Sequence, residues 1–221
     1  MRAVFYVDGF NLYHGLRAKH GRRYHWLDLQ ALAQLMRQHD EVLAVRYFTA
    51  IVKGEPDAAR RQEIYLGALA QHCPAVTIHR GHFKPKTPRG CRHCGEPWQC
   101  QCDPPTRYRT YEEKLTDVAL ASALLEDTAT GFGDLTVVVS TDTDFTPAID
   151  AALRIAPARP LYLACPPGRV SPRNLNPGVT PFLIPDRHLQ NAQLPTQVAS
   201  GPGRPAFTRP AKWSANNPAA S

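Results

Sequence analysis

Residues 137–147 read VVVSTDTDFTP, and this stretch decides the fold class. Three consecutive valines predict a strand buried on both faces, and Asp142 and Asp144 follow at its carboxyl end. In a parallel sheet, ligands bind beyond the carboxyl ends of the strands. The stretch therefore predicts an inner strand of a parallel sheet that delivers two carboxylates to a ligand-binding edge.

The rest of the chain alternates strand-like and helix-like patterns. Four further runs are short, apolar and rich in β-branched or aromatic residues, at 3–8, 44–52, 75–83 and 160–165. Apolar residues at helical spacing fall between them, at 27–38, 56–72, 111–127 and from 145 or 146 to 155. This alternation predicts an α/β fold with a parallel sheet covered by helices on both faces.

A second strand-like run also ends in an acid. Asp8 closes the run at 3–8 and is followed by Gly9 and Asn11, a turn that brings the Asn11 amide toward Asp8. Asp8 and Asp142 are then expected at one edge of the sheet. An Asp at a strand end often only caps the next helix, and for Asp144 that alternative stays open.

The predicted helix at 111–127 begins with further acids. Thr110 and Glu113 fit the T-x-x-E capping box, which gives Glu113 a structural role. Asp117 lies one turn further on, on the same stripe as the apolar residues of the helix, so it is expected to face the sheet. Burying a carboxylate without a partner costs several kcal/mol. Lys114 or a metal ion is the candidate partner.

Carboxylates that converge from two strand ends and one helix repel each other. A hard divalent cation with oxygen ligands relieves that repulsion, and Mg²⁺ binds a few carboxylates while sharing its other positions with water and phosphate. Such an ion can activate water and stabilise the leaving oxygen in phosphodiester cleavage. The acids therefore predict a metal-dependent hydrolytic site.

The chain of 221 residues carries a formal net charge of +7. One basic run, at 17–26, contains Arg22 and Arg23 beside Tyr24 and Trp26, and a second spans 80–109. Basic residues mixed with aromatics suit a nucleic acid, with a solvated basic face as the alternative. The sequence shows neither a membrane-spanning run nor a signal peptide at its start, so we expect a cytoplasmic protein and no membrane partner.

Four cysteines fall within twelve residues of an insert at 84–109, in the pattern C-x₂-C-x₅-C-x-C. Cytoplasmic thiols are usually reduced, so a structural Zn²⁺ explains the cluster better than disulfides. The predicted zinc ligands are Cys91, Cys94, Cys100 and Cys102, with His93 as an alternative to one of the thiolates. The knuckle either presents basic residues to nucleic acid or only stabilises the loop.

Composition predicts a domain boundary near the C-terminus. Residues 1–188 carry the alternating pattern, whereas 189–221 are rich in Pro and Ala, basic and poor in large apolar residues. Such a segment is expected to be a disordered tail. It is also a candidate contact for a second copy of the chain or for a protein partner.

Three motifs together resemble the NYN domain, a branch of the PIN-like nucleases: FYVDGFNLYHGL, EEKLTDVALASALLED and VVVSTDTDFTPAI. The resemblance covers roughly residues 2–165 and implies a Rossmann-like three-layer sandwich with a mostly parallel central sheet. It also implies an RNA-cleaving enzyme that uses Mg²⁺ or Mn²⁺. The implied metal ligands and catalytic residues are Asp8, Asp117, Asp142 and Asp144, with Asn11, Ser140 and Thr141 as supporting contacts to the substrate.

The sequence departs from the family pattern in two places. The family core does not require the cysteine-rich insert, and Thr141 replaces the glycine expected between Ser140 and Asp142, which stiffens the turn. DTDFT at 142–146 also fits a phosphatase nucleophile signature, but the downstream lysine that such an enzyme needs is absent apart from Lys212. An endoribonuclease is therefore expected, with a non-catalytic RNA-binding adaptor as the alternative.

Overall fold

The computed structural model describes residues 1–86, 91, 94, 101–102, 110–169 and 175–214. Its strands are β1 (Arg2–Asp8), β2 (Glu41–Thr49), β3 (Val76–Arg80), β4 (His82–Lys86), β5 (Thr110–Lys114), β6 (Leu135–Val139), β7 (Leu161–Cys165), β8 (Val179–Leu183), β9 (Gln197–Val198) and β10 (Phe207–Thr208). Its helices are α1 (Gly9–His20), α2 (Leu29–Met36), α3 (Pro56–His72), α4 (Thr116–Ala129), α5 (Thr146–Ile155) and α6 (Asp186–Asn191), with 3₁₀ turns at Thr143–Phe145 and Ala211–Trp213.

Six strands form one sheet in the order β3-β2-β1-β6-β7-β8, and every neighbouring pair is parallel. The predicted α/β class with a parallel central sheet is therefore confirmed. Strands β1 and β6 are neighbours, and Val7 lies beside Val139. Asp8 and Ser140 consequently leave the sheet side by side, at the edge that we call the carboxyl edge.

Alternate residues of β1 supply two apolar cores, one on each face of the sheet. Ala3, Phe5 and Val7 pack with the core that includes residues of α1, α2 and α3, whereas Val4 and Tyr6 pack with that of α4 and α5. This period of two is the geometry of a strand covered on both sides. Burial of a large side chain such as Phe5 contributes about 1.5–3 kcal/mol, so both helical layers are held firmly on the sheet.

A buried ion pair fastens the end of α4 to the sheet. The Asp127 carboxylate accepts hydrogen bonds from Arg46 Nε at 2.6 Å and Arg46 Nη2 at 2.7 Å, and from the Tyr6 hydroxyl at 2.7 Å. Asp127 is buried, and its partners satisfy both of its oxygens. This network sets the direction in which α4 runs from the carboxyl edge.

An antiparallel hairpin replaces two of the predicted elements. The run at 75–83 divides into β3 and β4, and β4 pairs with β5, which places His82 opposite Lys114. The predicted helix at 111–127 was therefore wrong in its first turn, because Thr110–Lys114 forms a strand and the helix begins only at Thr116. The chain turns at Leu115, whose φ of 82° is left-handed, and α4 starts directly afterwards.

Strand β8 was not predicted. It contains Pro181, which lacks a backbone N–H and weakens the strand pattern. Among the described strands it pairs with β7 alone, which places it at the edge of the sheet, where a proline is tolerated.

The predicted disordered tail was wrong for residues 189–214, which fold against the domain. The apolar side chains of Leu189, Leu194, Val198 and Trp213 are buried in the core shared with α1–α3. Trp26 donates its indole N–H to the carbonyl of Pro195 at 2.8 Å. A few large apolar anchors therefore order a segment whose average composition predicts disorder.

Candidate active site

Asp8 is fixed at the carboxyl edge by three hydrogen bonds. One carboxylate oxygen accepts from the backbone N–H groups of Phe10 at 3.1 Å and Asn11 at 3.0 Å, so Asp8 is the N-cap of α1. The other accepts from the Ser140 hydroxyl at 2.9 Å. Gly9 permits this start of α1, because a Cβ there would lie 2.6 Å from the Phe48 carbonyl oxygen.

Ser140 and Asn11 join the ends of β1 and β6. The Ser140 hydroxyl, which donates to Asp8, accepts from the Asp142 backbone N–H at 3.0 Å. Asn11 Oδ1 accepts from the Thr141 backbone N–H at 3.2 Å and from its hydroxyl at 3.3 Å. Ser140 is fully buried, so it positions the acids and does not itself offer a surface to substrate.

Of the two acids after β6, Asp142 is a cap and Asp144 is not, which is the reverse of the alternative considered for Asp144. Asp142 Oδ1 accepts from the Asp144 backbone N–H at 2.9 Å and caps the 3₁₀ turn at Thr143–Phe145. Asp144 caps nothing, since Phe145 holds the N-cap position of α5 without a side-chain hydrogen bond. The helix-cap alternative for Asp144 is therefore wrong. Both carboxylates are exposed at the carboxyl edge.

Asp117 reaches the same edge from α4. Its side chain is exposed, so the expectation that it faces the sheet was wrong. Lys114 is not its partner, because Lys114 Nζ pairs with Glu112 at 2.7 Å. Glu113 caps α4 by accepting hydrogen bonds from the Thr116 hydroxyl and from the Thr116 backbone N–H at 3.2 Å.

The pKa shifts show that these acids act on one another. The pKa of Asp117 is raised to about 6, first by partial loss of hydration and then by the negative charges of Glu113, Asp8, Asp142 and Asp144. Burial raises the pKa of Asp8, against the lowering effect of its hydrogen bonds, and Asp142 raises it further. Repulsion of this kind is relieved by a bound cation.

The donor set has the chemistry that a hard divalent cation prefers. Its atoms are all carboxylate oxygens, the ligand type that Mg²⁺ and Mn²⁺ favour. Within the described ranges, however, only three cysteines bring three possible ligand atoms within 4.8 Å of one another, so the acids lie further apart than in a closed metal site. Among the residues that the structure describes, no lysine or arginine forms an ion pair with any of the four acids: Asp8, Asp117, Asp142 and Asp144. Their charge thus has no fixed counter-charge in that part of the chain.

Arg22 and Arg23, predicted to bind substrate, do not lie with the acids. They follow the C-terminal end of α1, about 18 Å along the helix from Asp8 at 1.5 Å per residue. The Arg23 guanidinium lies over the Tyr24 ring at 5.3 Å, and its carbonyl accepts a hydrogen bond from Arg209. These contacts tie the C-terminal segment to the domain.

Three of the four predicted zinc ligands converge in the insert between β4 and β5. The sulfur atoms of Cys91, Cys94 and Cys102 lie within 4.8 Å of one another. Cys100 and His93 fall outside the described residues. Cys91 is buried, Cys94 is exposed and Cys102 is intermediate, so the group can be reached from solvent on one side.

One feature of the site was missed at the sequence level. Phe83 of β4 packs edge-on against Phe10 of α1, with ring centroids 5.8 Å apart, so the hairpin stands beside Asp8. The available signal was the pair of short runs at 82–86 and 110–114, in which every second residue faces the same side. The interpretation of residues 111–127 as one helix concealed it.

The comparisons with known proteins bear on the fold and the family of this chain. A crystal structure of a protein of unknown function from Vibrio parahaemolyticus superposes with a TM-score of 0.51 and 16% identity, over 84% of this chain and 93% of that chain, which shows a shared fold. The chain is 26% identical to the 6-hydroxy-3-succinoylpyridine 3-monooxygenase HspA of Pseudomonas putida, in an alignment of 254 residues that covers 96% of this chain and 75% of that protein. The family model described as NYN domain matches residues 2–155, well over half of the sequence. The chain belongs to the NYN domain family.

Proposed function

We propose that this protein hydrolyses RNA phosphodiester bonds as a metal-dependent endoribonuclease. The observation that carries the proposal is the grouping of four carboxylates at one edge of the sheet, where partial burial and then the charges of neighbouring acids raise the pKa of Asp117 to about 6. Membership of a family with a PIN-like nuclease fold supports it. Perturbed carboxylates grouped at a sheet edge are typical of functional sites.

The proposed ligands of Mg²⁺ or Mn²⁺ are Asp8, Asp117, Asp142 and Asp144. When bound, such an ion lowers the pKa of water and stabilises negative charge on the leaving oxygen. The chain itself keeps the ligands in place. Ser140 holds the buried Asp8 carboxylate, and Asn11 holds the turn that carries Asp142.

Cleavage of a labelled RNA tests the proposal. Purified protein is incubated with single-stranded and structured RNA in Mn²⁺ or in EDTA. We expect cleavage in Mn²⁺ alone and its loss in Asp142→Asn. Asp134→Asn is the matched control, because Asp134 precedes the same strand at the opposite edge and forms an exposed ion pair with Arg2. A wild type that cleaves no better than Asp142→Asn refutes the nuclease, and RNA binding without cleavage then favours the adaptor.

The relative from Pseudomonas putida suggests a second candidate function, oxygenation of a pyridine compound. The observation in its favour is the extent of the similarity, which covers 96% of this chain and so includes the segment after the family match. Oxygen uptake with 6-hydroxy-3-succinoylpyridine and a reduced nicotinamide cofactor tests it. Substrate-dependent uptake together with no RNA cleavage would replace the nuclease by an oxygenase.

We also propose that Cys91, Cys94, Cys100 and Cys102 hold a structural Zn²⁺. The support is the approach of three sulfur atoms to within 4.8 Å, together with the preference of Zn²⁺ for four thiolates. Elemental analysis of the purified protein should find zinc, and Cys91→Ser should lose it. Cys165→Ala, which removes a buried cysteine of β7, should retain it. Wild-type protein without zinc would refute the site.

RNA is the proposed partner, and a cytoplasmic location remains a prediction from the sequence. None of the helices in the described ranges is long and apolar enough to cross a membrane. A second copy or a protein partner bound through residues 189–221 also remains a prediction. The large apolar side chains of this segment, up to Trp213, already pack against the core of the same chain.

A further inference from the structure

An aromatic pair borders the acidic edge. Phe10 is the second residue of α1, and its backbone N–H donates to Asp8. Its ring meets Phe83 of the β4–β5 hairpin edge-on, at an interplanar angle of 89°. Both side chains are only partly buried, so each keeps some ring surface open to solvent. A nucleobase that stacks here would lie next to the carboxylates.

Two arginines and a histidine lie further along α1. His14 and Arg17 are exposed on the solvent face of the helix, and Arg169 approaches from the loop that follows β7. Gly15 lets this loop come close: a Cβ at this position would be 2.7 Å from the carbonyl oxygen of Pro167 and 3.4 Å from Arg169 Cγ. The loop therefore fixes the base of the Arg169 side chain against α1.

Arg17 and Arg169 both act electrostatically on His14. Loss of hydration lowers the pKa of His14, and the charges of Arg169 and Arg17 lower it further, so all three groups are close in space. Within the described ranges, neither Arg17 nor Arg169 pairs with a carboxylate. In the same ranges, Arg17 Nη1 donates to the Tyr13 hydroxyl at 3.1 Å. Two guanidinium groups thus remain available for phosphate.

We infer that the substrate is single-stranded RNA, with bases stacked on Phe10 and Phe83 and its backbone phosphates held by Arg17 and Arg169. Stacking on aromatic rings beside a cationic track is the mode that selects unpaired bases. A duplex keeps its bases stacked on one another and gains only the phosphate contacts. The inference rests on the proposed function for the nature of the substrate, and it adds a strand preference and four binding residues.

Binding is measured apart from cleavage. The full chain carrying Asp142→Asn, in EDTA, is titrated into a fluorescent oligoribonucleotide, either single-stranded or annealed to its complement, and anisotropy is recorded. We expect the combined Phe10→Leu and Phe83→Leu variant to bind the single strand about tenfold more weakly, with little change for the duplex. Leucine keeps apolar packing while removing the ring face, and a thermal unfolding curve checks that the variant is folded.

The salt dependence of RNA binding tests the role of Arg17 and Arg169. Arg17→Ala with Arg169→Ala should reduce the slope of log affinity against log salt concentration by about 1.4 for the single strand, since each phosphate contact contributes about 0.7. Arg154→Ala, an exposed residue in the last turn of α5, is the matched control and should leave the slope unchanged. Equal binding of single strand and duplex, or folded variants that bind like the parent, would overturn the inference.

The two proposals fail separately. A wild type that does not cleave RNA in Mn²⁺, but binds single strands through these four residues, refutes the nuclease and supports the binding surface. A protein that cleaves RNA while all four substitutions leave binding unchanged supports the nuclease and refutes the surface.

Discussion

Ser140→Ala should separate the positioning of the acids from their charge. The Ser140 hydroxyl is fully buried, donates to Asp8 at 2.9 Å and accepts from the Asp142 backbone N–H at 3.0 Å. Alanine fits the same space but makes neither bond. The substitution therefore removes the connection between the two strand ends and leaves every acid in the sequence.

The structure gives the size of the effect. A hydrogen bond to a charged group contributes about 1.5–3 kcal/mol, and a polar group left without its partner in a partly buried position costs about 1 kcal/mol. Loss of both Ser140 contacts therefore predicts a fall of about 3 kcal/mol in the free energy of unfolding at pH 7.5. Most of this belongs to the ionised form of Asp8.

The destabilisation caused by Ser140→Ala should depend on pH, because the lost hydrogen bond is made to the ionisable Asp8. The hydroxyl of Ser140 lowers the pKa of Asp8 against the raising effect of burial, so Ser140→Ala raises that pKa further. In the folded variant, Asp8 then holds its proton to higher pH, while the unfolded chain loses it near the ordinary value. The deficit in the free energy of unfolding should consequently be smaller at about pH 3.5, where Asp8 is largely protonated in both states.

Urea denaturation, monitored by circular dichroism at both pH values and without divalent metal, measures the loss in the free energy of unfolding and its change with pH. Ser200→Ala is the control, because the Ser200 hydroxyl bonds to the Pro205 carbonyl on the exposed surface. That variant should stay within about 0.5 kcal/mol of wild type. A loss below about 1 kcal/mol for Ser140→Ala, or one that does not change with pH, would show that Ser140 does not hold the ionised Asp8.

Three further changes test other parts of the structure. Because the folded-state pKa of Asp117 is about 6, the free energy of unfolding measured without metal should fall as pH rises from about 4 past 6. Asp117→Asn should flatten this fall. Added Mn²⁺ at pH 7.5 should raise the melting temperature of wild type more than that of the variant. Arg46→Leu should cost about 3 kcal/mol in urea denaturation, near the low end for a broken buried pair because the Arg46 side chain is 24% exposed; a cost below 1 kcal/mol would contradict the role of Asp127. Leu115→Gly should add about 0.5 kcal/mol to the free energy of unfolding by relieving a φ of 82°, whereas Leu115→Ala, which keeps the strain, should not.

The sequence predicts the centre of the molecule well for a physical reason. Strands buried on both faces must be apolar throughout, so β1 and β6 are recognisable from their residues alone. An acid that ends such a strand must lie at the edge of the sheet. The sequence alone therefore predicts that Asp8 and Asp142 lie at the same edge.

Elements outside the centre depend on contacts that no local pattern shows. Residues 111–115 have apolar and polar spacing that also suits a helix, and only pairing with β4 makes them a strand. The exposed position of Asp117 follows from that pairing, since α4 begins five residues later than predicted. In the C-terminal segment, Trp213 is ordered by Trp26 and Tyr65, which lie far away in the chain.

The hydrogen bonds divide the four acids into two that stabilise the backbone and two that do not. Asp8 has three of its acceptor positions occupied by the fold, and Asp142 has one, so both hold backbone as well as facing the edge. Asp117 and Asp144 accept no hydrogen bond from the residues that the structure describes, and their charge contributes nothing there except repulsion. Under the proposed function, Asp117 and Asp144 would serve only the bound cation, whereas Asp8 and Asp142 are also needed by the fold.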